Sequence, residues 1–434
     1  MKFGATLCAL VLALAACGGG GGGDDRTTPF SPPPASGPAP AARQLAADLE
    51  GLPLEAFYEK SFAALIARSP ERVVWEALED FSPLEGANLD DLSAAWQSET
   101  YEMYGVVLDL LRDYDRSMLD AGGRLTFDVY DWYLRDKVEG EAWRYHDYAA
   151  AFSLFGVQKN TETFFTDIHP LASSQDAEDY VGRLAQVERK LDQLSDHLRR
   201  QRDAGVIEPA PTMQLAINEV SAIASGSVDG NPYFSRLQRD IDGIPDLADD
   251  RRGELLDEAR RLTADGVIPA YRRLRNTLEE LRATAPSGIG VDQHTGGRDY
   301  YAYILRHHTT TDLTPAEIHQ LGLDELERIR AEMRHAFDRL GYPQDETLQA
   351  LFARVARAGG TIPAASVLPT YEGIIADAET RLDEAFDLFP SAGVIVLPDP
   401  SGGFYIGPSF DGSRPGAFYA GTRSGQPWYM MPSL

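Results

Sequence analysis

Residues 314–341 read TPAEIHQLGLDELERIRAEMRHAFDRLG, and this stretch predicts a long amphipathic helix. Thr314 can cap the helix, Pro315 suits the first helical position, and Glu317 completes a capping box. Gly341 supplies the stop. The apolar residues recur every three to five positions and therefore share one face of the helix: Ile318, Leu321, Leu326, Ile329, Met333, Phe337 and Leu340.

The same helical spacing extends on the N-terminal side of this stretch, back to about residue 43. Residues 177–200 carry six large apolar side chains on one face, and residues 254–283 form a further helical pattern. Pro269 should kink that pattern or divide it into two helices placed end to end. We therefore predict a mainly α fold, a multi-helix scaffold that occupies residues 42–389.

The sequence changes character after residue 390. Residues 393–397 form a β-branched run, and short apolar segments follow at 404–406 and 417–420, separated by glycine and proline. Such runs are typical of short strands. For residues 390–434 we predict a small C-terminal antiparallel β-meander of two or three strands.

Length and charge limit the function. The chain has 434 residues, of which 43% are apolar, and this is enough to build a core. Chains longer than about 300 residues usually divide into more than one core. The 67 acidic and 40 basic residues give a net charge of −27, which argues against nucleic acid as a partner, because phosphate binding requires clustered Lys and Arg.

The N-terminus is typical of an exported protein. Lys2 precedes an apolar run over residues 5–16, which is too short to cross a bilayer. We predict a signal peptide at residues 1–16. The sequence Leu14-Ala15-Ala16-Cys17 resembles the lipobox of bacterial lipoproteins, in which the cysteine is lipidated. The alternative is an ordinary cleaved signal that leaves Cys17 free or removes it.

Residues 17–41 contain a glycine run followed by a proline-rich tract, and they predict a tether between the lipidated Cys17 and the folded part. We expect a protein of the cell envelope, held to a membrane by its lipid anchor and facing the periplasm. Gly18 after the cysteine resembles lipoproteins that are sorted to the outer membrane.

None of the common catalytic motifs occurs in this sequence with the residue spacing that it requires. The sequence has no P-loop, no nucleophile elbow and no EF-hand loop, and Cys8 and Cys17 are the only cysteines. No two of the eight histidines are separated by three to five residues, so one helix cannot present a two-histidine zinc site. For any single histidine a structural role is the expected one. His307 is the best binding candidate because aromatic and hydroxyl side chains surround it in sequence.

Two stretches, 297–319 (GRDYY through TDLTPAEIH) and 413–419 (SRPGAFY), resemble bacterial proteins that carry the domain of unknown function 885. This family is grouped with gluzincin-type zinc metallopeptidases and is mostly helical. The resemblance extends from about Leu54 to the last residue. In the family, the segment similar to residues 428–434 leads into a helix of HExxH type, which supplies two zinc ligands and a general base.

The resemblance therefore implies zinc in full-length relatives, but this chain ends at Leu434 and contains no HExxH. We expect no catalytic residues, no metal ligands and no cofactor in this chain, and hence no peptidase activity. The last seven residues are rich in large apolar side chains, whereas natural termini are usually polar. We accordingly expect a truncated product, although a natural end remains the alternative.

The resemblance also suggests where a peptide ligand would bind. In gluzincins an edge strand before the zinc helix pairs with the substrate backbone, and residues 416–421 occupy that position. On this hypothesis Phe418 and Tyr419 point to opposite faces, one towards the core and one towards substrate, and Arg414 meets a carboxylate. His307 is the fourth substrate-binding candidate. The alternative for these strands is a plain capping sheet with Arg414 in a salt bridge. The alternative for the whole chain is a non-enzymatic membrane-tethered peptide-binding or scaffold lipoprotein.

Overall fold

The computed structural model describes residues 39–422 and 426–427, except 80, 85, 151–155, 388, 391, 400–402 and 410–411. The predicted signal peptide, Cys17, most of the predicted tether and residues 428–434 lie outside the described part. The chain forms two compact units. The first contains the described residues up to Trp75 together with Glu79–Asp312, and the second contains Glu76–Leu78 and the residues from Leu313 onward. The predicted change from helices to strands near residue 390 lies inside the second unit.

The first unit is helical, and its α-helices are α1 Pro40–Leu49, α2 Leu54–Ile66, α3 Pro70–Glu76, α4 Ala94–Leu111, α5 Ala121–Gly140, α6 Val157–Thr163, α7 Ser174–Leu184, α8 Val187–Asp203, α9 Ala210–Ser225, α10 Pro232–Asp240, α11 Asp249–Leu262, α12 Ile268–Arg282 and α13 Gly297–Thr309. Helices α1, α2, α4 and α5 enclose one apolar core. A larger core lies among α7 to α12 and includes the fully buried Tyr180, Tyr233 and Tyr271. The prediction of a mainly α scaffold is confirmed.

Two of the predicted long helices are divided. Pro269 lies in the first turn of α12, and a π-helical turn at Thr263–Val267 joins α12 directly to α11, so the irregularity predicted near Pro269 is a change of helix type. The spacing in residues 177–200 predicts one helix, but α7 ends at Leu184 and α8 begins at Val187. At this break the side chain of Gln186 donates to the Ala87 carbonyl and accepts from the Leu89 amide, so it holds a distant loop.

The second unit contains α14 Pro315–Arg339, α15 Leu348–Gly359, β1 Thr361–Ile362, α16 Ala364–Glu379, β2 Val394–Asp399, β3 Phe404–Ile406, β4 Gly416–Gly421 and β5 Gln426–Pro427. The predicted capping box of α14 is present: Glu317 donates its amide to the Thr314 hydroxyl, and the Thr314 amide donates to the Glu317 carboxylate at 2.8 Å. Of the apolar face, only Phe337 is buried.

The strands form two sheets. β1 pairs antiparallel with β5, and the larger sheet has the order β2-β4-β3. β3 is antiparallel to β4, as a meander predicts, but β2 is parallel to β4 along its whole length, from Val394 opposite Gly416 to Asp399 opposite Gly421. The sheet is therefore mixed, and the prediction of an antiparallel meander was wrong in this respect. Parallel pairing requires a connection that returns to the same end of the sheet, and β3 lies within it.

Among the described residues, none of the helices combines the length and the apolar character needed to span a bilayer.

Candidate functional site

His307 lies on α13 and is oriented by a buried carboxylate. Its Nδ1 is 2.8 Å from Oδ2 of Asp136, and the Tyr303 hydroxyl donates to the main-chain carbonyl of the same aspartate. The carboxylate accepts the Nδ1 proton, which leaves Nε2 as the nitrogen available to a ligand. His308 lies beside it, with ring centroids 4.7 Å apart, and burial, followed by the neighbouring His307, lowers the pKa of His308. The predicted binding candidate is thus a well-oriented imidazole.

Three other histidines of the first unit have hydrogen-bond partners. His146 contacts the Thr295 carbonyl at 2.7 Å, and burial lowers its pKa. His294 bonds the Tyr148 hydroxyl at 2.6 Å. Burial, together with the nearby Arg183 charge, lowers the pKa of His169 to about 3, so this ring stays neutral in the core.

Zinc has no suitable set of ligands in the described part of the chain. No group of three or more His, Cys, Asp or Glu side chains is placed there to hold a metal ion. Three or four such ligands are the minimum for a protein zinc site. The described residues therefore do not fit the zinc that the family resemblance implies for longer relatives.

The C-terminal candidates lie in the second unit, around the β3–β4 connection. The Arg414 guanidinium donates to the Gly407 carbonyl at 3.0 Å, and the Arg414 amide donates to the Ser409 hydroxyl at 2.9 Å. The Ser409 amide in turn donates to the Arg414 carbonyl at 3.0 Å. These bonds close the loop between β3 and β4, so Arg414 has a structural role in addition to any contact with a ligand.

Phe418 and Tyr419 point to opposite faces of the sheet. Phe418 packs on Tyr371 of α16, with ring centroids 4.9 Å apart, and contributes to the core of the second unit. Tyr419 stacks on Phe404, with centroids 4.5 Å apart and planes within 9°. Because β4 is hydrogen-bonded to β2 on one side and to β3 on the other, it is the central strand. The prediction that residues 416–421 form an edge strand for substrate was therefore wrong.

A cleft in the first unit was not predicted from the sequence. It has a volume of about 350 Å³ and lies among α2, α4 and α5, with α3 and the adjoining loops contributing to its wall. Its walls are aromatic and basic: Trp96, Tyr101, Tyr104, Tyr130 and Tyr133 line it together with Arg68, Arg72, Lys137 and Arg144. A signal was present in the sequence, because Tyr101 and Tyr104, and likewise Tyr130 and Tyr133, are three residues apart and so share a helix face.

Two carboxylates also line this cleft, and both have partners. Asp91 is 3.1 Å from Arg189. Asp90 accepts hydrogen bonds from the Ser69 hydroxyl at 2.9 Å and from the Glu71 amide at 3.0 Å. Burial, followed by the charge of Glu71, raises the pKa of Asp90 to about 6.

Behind Asp90 lies a buried ion pair between Glu71 and Lys190. The Lys190 ammonium contacts both carboxylate oxygens of Glu71, one of them at 2.7 Å, and both residues are buried. Glu71 also accepts from the Asp90 amide at 3.0 Å. The three groups form one network that joins α3, the loop before α4 and α8, and it fixes this wall of the cleft.

The fold and these sites define a mainly helical protein of two units with a small mixed sheet. The family model for bacterial proteins of unknown function, DUF885, matches residues 82–434. The chain belongs to this family, which confirms the resemblance at the level of the family; the match begins later than the expected Leu54.

The chain is also similar to a solved structure described as "The crystal structure of the putative lipoprotein from Colwellia psychrerythraea". The two are 19% identical, with a TM-score of 0.78, over 88% of this chain and 68% of that one. At this identity the likeness concerns the fold alone. Among curated proteins, none matches the chain.

Proposed function

We propose that this protein is a lipid-anchored protein of the cell envelope that serves as the helical scaffold of a gluzincin-like metallopeptidase. In this proposal the 434 residues do not cleave peptides themselves, because they supply no HExxH motif. The observation that carries the proposal is the apolar face of α14, whose large side chains are mostly exposed in the described part of the chain.

Four large side chains lie along this face and are substantially exposed: Leu321 at 54%, Leu326 at 47%, and Ile329 and Met333 at 37% each. Complete burial of one such side chain contributes about 1.5–3 kcal/mol. An exposed apolar surface of this kind is typical of a face that another polypeptide segment covers. We name these four residues the α14 stripe.

We assign the segment that carries the HExxH helix as the occupant of the α14 stripe. The stripe follows directly after the family-specific residues 311–319, and the solved relative extends beyond the region that this chain matches. An apolar helix face packs on a complementary helix through residues at three- and four-residue spacing. Leu326, Ile329 and Met333 of the stripe have this spacing.

The first test is the genomic DNA downstream of codon 434. A sequence encoding HExxH, in frame or after a frameshift, supports the proposal, and an unrelated sequence contradicts it. If the segment is found, its binding to this chain can be measured after co-expression. Leu326→Glu combined with Ile329→Glu should abolish co-purification, whereas Ala331→Glu, on the opposite exposed face, should not. Equal co-purification by both variants would refute the assignment of the stripe.

Membrane attachment through Cys17 is the second part of the proposal. It is supported by the lipobox-like sequence and by the fold shared with a solved relative described as a "putative lipoprotein". Cys17→Ser should move the protein from the membrane fraction to the soluble periplasmic fraction and abolish incorporation of labelled palmitate. Sucrose-gradient separation of the wild-type protein then tests the assignment to the outer membrane. A variant that stays membrane-bound would contradict lipid anchoring.

For peptide contacts we retain Arg414, Tyr419 and His307 as proposed binding residues, with Phe418 supporting Tyr419 from the core side. Strand addition to β4 is not part of the proposal, since both sides of β4 are occupied. Arg414→Ala in a full-length relative tests the role of this arginine. Unchanged substrate affinity would leave it with the loop-closing role alone.

A non-enzymatic membrane-tethered peptide-binding lipoprotein is the second candidate function. It is favoured by the cleft among α2, α4 and α5, which is formed entirely by residues of the first unit and therefore needs no additional segment. Unrelated DNA after codon 434, together with ligand binding in this cleft, would support this candidate over the first.

A further inference from the structure

We infer that the cleft among α2, α4 and α5 binds the terminal carboxylate of an N-acylated amino acid or peptide whose last side chain is apolar. This inference does not depend on the peptidase scaffold proposed above. Three features of the cleft carry it: two basic side chains without acidic partners, a buried amide oxygen without a donor, and an apolar wall.

The two basic side chains are Arg72 and Lys137. Neither makes an ion pair with a carboxylate in the described part of the chain. Lys137 lies 5.6 Å from the ring centroid of Tyr133. Burial raises the pKa of the Tyr104 phenol, and the nearby charge of Arg72 opposes this rise. The ring centroids of Tyr104 and Tyr133 are 6.1 Å apart, and both cations line the cleft together with this pair of rings.

The other charged groups of the cleft have partners, which are ions for Arg68, Arg144 and Asp91 and neutral hydrogen-bond donors for Asp90. Arg68 is 3.1 Å from Glu99, and Arg144 is 3.4 Å from Glu141. The carboxylates of Asp90 and Asp91 have the partners described above. The two remaining cations give the cleft a positive balance in a protein whose net charge is −27. A basic cleft of this kind concentrates an anion.

The amide oxygen is Oε1 of Gln97. It is buried and has no hydrogen-bond donor among the described residues. A buried acceptor without a donor is unfavourable, and a ligand N–H would satisfy it. A carboxylate next to an amide N–H is the chemistry of an N-acylated amino acid and of a peptide C-terminus alike.

The apolar wall consists of Phe62, Leu65 and Ile66 from α2, opposite the tyrosines of α4 and α5. With about 350 Å³ the cleft is at the lower end of the volumes of ligand sites, and this suits one apolar side chain with its terminal carboxylate. Phe and Leu side chains match the wall in size and character.

Isothermal titration of the full chain with N-acetyl-phenylalanine tests the inference, with N-acetyl-phenylalanine amide as the ligand that lacks the carboxylate. We expect the acid to bind and the amide to bind at least about tenfold more weakly, because a charge-assisted hydrogen bond is lost. Equal binding of the two ligands, or no binding of the acid up to about 10 mM, would overturn the inference.

Arg72→Gln and Lys137→Met should each weaken binding of the acid by about tenfold. Lys60→Met is the matched control, since Lys60 is exposed on α2 and is not part of the cleft. Equal affinities of the three variants would contradict the assignment, and a thermal melt of each variant verifies that it is folded. Titration with acetyl-Ala-Ala-Phe distinguishes the two ligand classes. Tighter binding than N-acetyl-phenylalanine identifies the ligand as a peptide C-terminus, and equal binding identifies it as a free N-acylated amino acid.

Discussion

Asp90 gives the first unit a pH-dependent stability that a single substitution removes. Its carboxylate is buried at the cleft wall, and burial raises its pKa from 3.8 to about 6 despite the nearby Lys190. We expect Asp90→Asn to stabilise the protein at pH 7. The neutral amide keeps its carbonyl oxygen for the Glu71 amide, and the Ser69 hydroxyl can turn to accept from the new NH2 group.

The sign of the effect follows from proton linkage. A carboxyl group whose pKa is raised on folding favours the folded state fully below about pH 4, and this contribution is lost as the pH rises through about 6. A shift of about two pH units corresponds to about 3 kcal/mol. Since Asn does not titrate, the stability of Asp90→Asn relative to wild type should increase by about that amount between pH 4 and 7.

Thermal melts followed by circular dichroism, from about pH 4 to pH 8, measure this difference. For a unit of this size, about 3 kcal/mol corresponds to a shift in Tm of about 6–12 °C. Asp109→Asn is the control, because Asp109 lies on the exposed side of α4. A difference between wild type and Asp90→Asn that does not change with pH would refute the reasoning.

Three further predictions concern packing and exposure. Lys190→Met should destabilise the first unit by about 3–5 kcal/mol in urea unfolding, because it leaves the buried Glu71 carboxylate without its cation; a loss below about 1 kcal/mol would contradict this. Phe418→Ala should destabilise the second unit by about 2 kcal/mol, whereas Tyr405→Ala, on an exposed side chain, should have a smaller effect; equal losses would remove the core role of Phe418. Leu326→Glu should decrease the binding of an apolar fluorescent dye without lowering Tm, and unchanged dye binding would mean that the α14 stripe is not accessible.

Local signals in the sequence predicted the helices well. The capping residues of α14 and the proline at the start of α12 act through bonds and steric contacts within one turn, so neighbouring residues suffice to recognise them. The break between α7 and α8 depends on Gln186 and its bonds to residues almost one hundred positions away. No periodicity in residues 177–200 contains that information.

Contacts between residues far apart in sequence also explain the other features of the structure that the sequence did not predict. The short segments 393–397 and 417–420 were recognised as strands, but their parallel pairing brings together residues that no local pattern connects. The spacing of apolar residues in α14 predicts which side chains share one helix face, but it does not predict what packs on that face. The cleft combines side chains from α2, α4 and α5, and it becomes visible only when these helices are placed together.

In the function proposed above, these 434 residues form a peptidase-type scaffold without hydrolytic machinery of their own. Two measurements on the purified chain test this proposal most directly. The chain is incubated with Zn²⁺ and dialysed, and its bound zinc is then determined. The same sample is assayed for cleavage of a mixed peptide library. The account predicts zinc well below one equivalent per chain and no chelator-sensitive cleavage. One tightly held zinc per chain, together with cleavage that a chelator abolishes, would contradict it.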